Sequence, residues 1–148
     1  MTETAVRQLD IVKRFDTEAK RHYANNEPMV LHCHHYATLT CQLADDAEAF
    51  QGPRLLRESA EDSFYEPLCK IFEREGCTTI EEKTEVVEQY FSYTGLGQLS
   101  IVGIGPNAGW AEMPHSHVDE GWLKKWKQHS HPVNFIGQGY LAAAFSAI

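Results

Sequence analysis

The chain has 148 residues, with 13 basic against 21 acidic side chains, a formal net charge of −8 with its eight histidines neutral. That balance repels phosphate backbones and no basic stripe offsets it, so nucleic acid is not an expected partner. With 43% hydrophobic and 23% charged residues the chain reads as one globular domain over residues 1–148, and its longest apolar run, residues 140–145, is too short to cross a bilayer.

The first residues lack the basic-then-apolar pattern of a secretion signal, so the expected location is cytoplasmic, away from membranes. Cys33, Cys41, Cys69 and Cys77 are widely spaced with no Cys-x-x-Cys, the usage of reduced, mostly buried thiols. Val6, Leu9, Val12, Phe15, Ala19 and Tyr23 recur at helical spacing and predict an amphipathic first helix ending at Asn25-Asn26-Glu27-Pro28. A second helix is expected from Met29 to about Asp45, with Tyr36, Leu39 and Leu43 on one face. After Gln51-Gly52-Pro53, an apolar stripe of Leu56, Ala60, Phe64, Leu68, Ile71 and Phe72 is interrupted by Pro67, which either kinks one helix or starts another.

Thr79-Ile80-Glu81-Glu82 fits a capping box opening a helix that Gly95 closes. Residues 98–104 and 110–118, on either side of a Gly105-Pro106-Asn107 turn, predict a β-hairpin. A short helix with Trp122, Leu123 and Trp126 follows, and His131-Pro132 opens a last helix carrying Val133, Ile136, Tyr140, Leu141 and Phe145. The fold class is therefore α+β, amphipathic helices packed on a small antiparallel hairpin or sheet.

Chemistry concentrates in the histidines. Leu31-His32-Cys33-His34-His35-Tyr36, His115-Ser116-His117 and His129-Ser130-His131 hold seven of the eight. Imidazole and thiolate are the donors that zinc, iron and copper prefer. On a helix His32 and His35 share a face with Tyr36, and on a strand His115 and His117 project to one side. His32, Cys33, His35, His115 and His117 are accordingly the candidate metal ligands, for zinc or iron. His129 and His131 read as loop residues. Glu58, Glu61, Asp62 and Glu66 crowd one helix, and a solvated acidic face is the simpler reading of them than acid–base work.

Gly95-Leu96-Gly97-Gln98-Leu99 after an amphipathic helix, the hairpin ending near Ser116, and Pro132-Val133-Asn134-Phe135-Ile136-Gly137-Gln138-Gly139-Tyr140-Leu141-Ala142-Ala143-Ala144-Phe145 resemble the 4-vinyl reductase domain. That domain belongs to the ligand-binding superfamily of haem nitric-oxide sensors and Golgi transport subunits. The resemblance covers roughly residues 54 to 148 and implies an α+β domain with a pocket for a small, often apolar molecule. In the family, strands with a glutamate and cysteines follow this helix, and a metal site built from those cysteines is not expected here; the Tyr-x-Ser-x-Arg motif of the nitric-oxide sensors is absent, so haem is not expected.

The leading expectation is binding of a small organic, partly apolar ligand, with metal assistance, in a pocket lined by His32, His35, Tyr36 and Tyr65. Its alternatives are a metal-dependent enzyme, hydrolytic or redox, in which Glu58 or Asp62 moves protons, and an assembly subunit. One readable hairpin is marginal alone and the last helix is too apolar to lie bare, so a homodimer is expected. Light scattering at micromolar concentration should then report a mass above the 16.8 kDa of one chain.

Overall fold

The computed structural model describes residues 8–148. It is α+β, but it opens with strands where helical periodicity predicts a helix. β1 (Lys13–Asp16), β2 (Arg21–Ala24) and β3 (Glu27–Met29) form an antiparallel three-stranded meander. Two turns explain the difference. The Asp16 carboxylate accepts from the backbone N–H groups of Glu18 (3.0 Å) and Ala19 (2.8 Å), a side-chain turn that competes with helix. Asn25 and Asn26 both take positive φ (49° and 70°) between the paired residues Ala24 and Glu27, the backbone of a two-residue hairpin turn. The supposed stripe is not one buried face: Leu9 packs at the edge of the core, whereas Val12 and Phe15 are exposed. Val6, its first member, lies outside the described residues.

α1 (His34–Asp46) starts five residues later than the sequence suggests, capped by extended Cys33. Its buried face is Ala37, Thr38 and Cys41, while Tyr36, Leu39 and Leu43 are 63%, 42% and 60% exposed. The small face wins because α1 packs tightly on α4 (His117–Trp126). A Cβ built on Gly121 of α4 would sit 2.3 Å from the Thr38 hydroxyl oxygen, so neither helix has room for larger side chains there.

After a single 3₁₀ turn, α2 (Gly52–Glu75) runs unbroken through Pro67 and stops at Gly76, whose φ of 64° suits glycine. α3 (Ile80–Tyr93) has the expected capping box: the Glu82 N–H donates to Thr79 Oγ1 (3.2 Å), and Glu82 accepts from the Thr79 N–H (3.1 Å). β4 (Gly97–Ile104) and β5 (Gly109–Ser116) form the expected hairpin, with two irregularities in register. Ser116 ends β5 and caps α4, accepting from the Asp119 N–H at 3.1 Å. His117 therefore lies on a helix and His115 on a strand, so the two do not share a strand face as spacing suggests.

α5 (Phe135–Ala147) begins at Asn134, whose Oδ1 accepts from the Gly137 N–H (2.8 Å). The Asn134 amide also donates to Ser116 Oγ (2.9 Å) and Asp119 (2.8 Å), tying the starts of α4 and α5 together. α5 crosses α2 so closely that a Cβ on Gly139 would lie 2.4 Å from the Arg57 carbonyl oxygen and 2.6 Å from Ala60 Cβ. Tyr140, fully buried, stacks edge-on against Phe64 of α2 and Phe91 of α3 and donates to the Val87 carbonyl at 2.6 Å. The last helix is thus covered within the chain, its Tyr140, Ala143 and Ala144 in the core with Leu68, Ile71, Phe72, Val86, Val87 and Leu99. Its apolar character gives no reason for a second chain.

Gly139→Val should lower the unfolding free energy by about 2–3 kcal/mol, because the added branch meets backbone that cannot yield. Gly103→Ala, where an added Cβ meets nothing within 4 Å, should stay within about 0.5 kcal/mol of the parent. Urea unfolding midpoints of the two variants compare these directly.

Candidate functional site

The N-terminal sheet lies against α2 and α3. Lys70 pairs with Glu27 (3.3 Å), the Lys13 ammonium stands 4.6 Å from the centre of the Tyr93 ring, and the Leu9 N–H donates to the Gln89 side chain (2.6 Å). Between sheet and helices is a cleft of about 340 Å³. Met29 and Val30 line it from the sheet side, Phe64 and Pro67 from α2, Tyr90 and Tyr93 from α3, and Leu96 from the start of the hairpin. A smaller pocket of about 140 Å³ adjoins it, sharing Ala24, Glu27, Pro67 and Tyr90.

The cleft lining also carries polar side chains, those of Glu27, His32, Ser63, Thr94 and the two tyrosines. The Tyr93 hydroxyl is buried and has no hydrogen-bond partner among the described residues. Pro67 has no N–H, so the carbonyl of Ser63, four residues earlier and also in the lining, loses its helical donor. Burial, with the Glu27 and Tyr93 charges adding to it, raises the Tyr90 hydroxyl above its ordinary value of 10.0, so it stays protonated in neutral solution. The cleft therefore combines apolar side chains and three aromatic rings with hydroxyls, a carboxylate and a released carbonyl at separate points.

His32 also lines this cleft, although its side chain is largely exposed and it precedes α1 instead of lying on it. His35 and Tyr36 are on the solvent side of α1 and do not line the cleft. Tyr65 is exposed and shares a hydrogen bond with Cys69, which raises its pKa. Glu58 is held by Arg54 at 2.7 Å and Asp62 is exposed, the arrangement of a solvated acidic face.

The structure does bring the second histidine pair towards the first. The His117 ring centre lies 6.2 Å from that of His32 and 5.8 Å from that of His34. Cys33 is exposed, and His115 turns to Glu120 at 3.4 Å. Among the described residues, these side chains do not form a group of three whose ligand atoms lie within 4.8 Å of one another. Asp45, His129 and His131 do. Sequence spacing offered no signal for that convergence, since Asp45 stands 84 positions from His129.

Neither a family model nor a curated protein matches the chain. Among solved structures, the crystal structure of the phenol-responsive sensory domain of the transcription activator PoxR with phenol is similar, with a TM-score of 0.73 at 15% identity. The match covers 91% of this chain and 71% of that one. The chain shares the fold of that sensory domain. Among the described residues no helix is long and apolar enough to cross a membrane.

His34 is half-buried against α4, and loss of hydration lowers its pKa below 6.5. His35, Lys124 and His117 add repulsion, which Glu120 partly opposes. On acidification the unfolded chain takes up this proton first, so the stability His34 contributes is present above about pH 6.5 and is lost as pH falls through the folded value. His34→Gln should make the decline of the urea midpoint below pH 6.5 shallower than in the parent.

Proposed function

We propose that this chain is a binding module for a small aromatic molecule bearing a hydroxyl, held in the cleft between the N-terminal sheet and α2–α3. The observation that carries this reading is the buried, unpartnered hydroxyl of Tyr93, a residue that lines the cleft together with the rings of Phe64 and Tyr90. An orphaned buried polar group costs about 1–3 kcal/mol, which a ligand hydroxyl would recover. A volume of about 340 Å³ suits one ring with small substituents. Phe64 and Tyr90 offer ring faces, and the Ser63 carbonyl is available to accept a ligand O–H.

The fold shared with a phenol-responsive sensory domain supports a sensing role. The order α3, hairpin, α4, α5, with its Gly139-Tyr140-Leu141-Ala142-Ala143 segment, supports a relationship to the 4-vinyl reductase type. The carboxylates expected to move protons, Glu58 and Asp62, are not among the residues lining the cleft, and the carboxylate that does line it, Glu27, is paired with Lys70.

Phenol should raise the melting temperature and bind in calorimetry, and toluene should bind by burial alone. Tyr93→Phe should weaken phenol about five- to tenfold, the worth of one hydrogen bond at roughly 1–1.5 kcal/mol, and leave toluene unchanged. No binding of either at millimolar concentration, or equal loss of both, would overturn the assignment.

A further inference from the structure

A second site stands apart from this cleft, sharing no lining residue with it. We infer that Asp45, His129 and His131 form a binding site for a divalent transition-metal ion of the zinc class. Asp45 occupies the last turn of α1, and the two histidines come from the segment between α4 and α5. Lys127, with φ of 63°, turns the chain out of α4, and Val133 and Phe135 anchor the far end in the core beside Ala37, Cys41 and Trp122. The segment is thus fixed at both ends, and its histidines are laid over α1.

The donor geometry suits one ion. His129 Nε2 lies 3.3 Å from Asp45 Oδ2, and His131 Nε2 lies 2.8 Å from Asp45 Oδ1. Donors bound to zinc at tetrahedral angles stand roughly 3.3 Å apart, given bonds of about 2.0–2.1 Å. Small side-chain rotations would therefore complete the set. The Asp45 side chain is only 14% exposed, so its charge is poorly served by water. The two rings, with centres 4.3 Å apart, stand over one carboxylate, so a single divalent ion would take both rings and the carboxylate together. The C-terminal end of α1 adds the partial negative charge of the helix dipole.

Two imidazoles and a carboxylate are a donor set for zinc, iron or cobalt, and three protein donors leave a position for water or a small ligand. That position has room. Asp45 and His131 also border a cleft of about 670 Å³ with Arg54, Arg57 and Phe135.

The test is titration of the metal-free chain with zinc in calorimetry and with cobalt in visible absorption. One equivalent should bind with micromolar or tighter affinity, and cobalt should show the intense visible bands of low-coordinate nitrogen and oxygen ligation. Trp122, whose ring centre lies 5.3 Å from that of His129, should lose fluorescence as cobalt fills the site. His131→Ala and the isosteric Asp45→Asn should each weaken binding by at least about tenfold, with circular dichroism showing that the chain remains folded. His32→Ala and His117→Ala should leave it unchanged. No stoichiometric binding, or loss through His32 or His117 instead of Asp45 or His131, would overturn the site.

Discussion

The near-contact of α5 with α2 at Gly139 sets the positions of the other helices. Two helix backbones meet there with no side chain larger than the Ala60 methyl at the contact, and that closeness lets Tyr140, the next residue, span the gap to α3. Its ring is held edge-on by Phe64 on one helix and Phe91 on another, and its hydroxyl is bound to a backbone carbonyl. One glycine and one tyrosine thereby determine how three helices lie on one another. Phe64 has a second role, because it is also part of the wall of the aromatic cleft. The dimensions of that cleft are coupled to the core through a shared side chain, not through a loop.

The parts legible in the sequence were those where local chemistry and tertiary packing agree. The capping box at Thr79 and the hairpin around the Gly105 turn are written in short-range signals that the fold respects. The N-terminal segment failed because apolar residues at helical spacing were read as a buried stripe. Asp16 and the Asn25-Asn26 pair, each able to satisfy or bend backbone locally, dictate turns instead. On α1 the largest apolar residues were assumed to face inward. Close packing against Gly121 reverses that preference, and no single-element pattern contains the information about the neighbour.

Functional residues divide along the same line. The clustering of histidines was visible, but what brings His117 to His32 and His34 is the packing of α4 on α1, not a strand face. Convergence on Asp45 was not visible, because an ordinary acidic residue near a helix end carries no mark of the loop that folds onto it. Tyr93 was equally silent: its place in α3 was clear, but whether its hydroxyl finds a partner is a property of the assembled structure.

The two sides of the aromatic cleft differ in stiffness. Its floor belongs to helices locked through Tyr140. Its roof is the three-stranded meander, none of whose strand residues is fully buried. The Lys70–Glu27 pair that helps hold the roof down is exposed on both sides, a contact worth at most about 1 kcal/mol. Detaching the meander exposes fewer buried side chains than unfolding the helices, so backbone amides in β1–β3 should exchange faster than those of α2, α3 and α5. Molecules too large for the closed cavity meet a compliant wall on one side only, so selectivity by size is softer towards the strands than towards the helices.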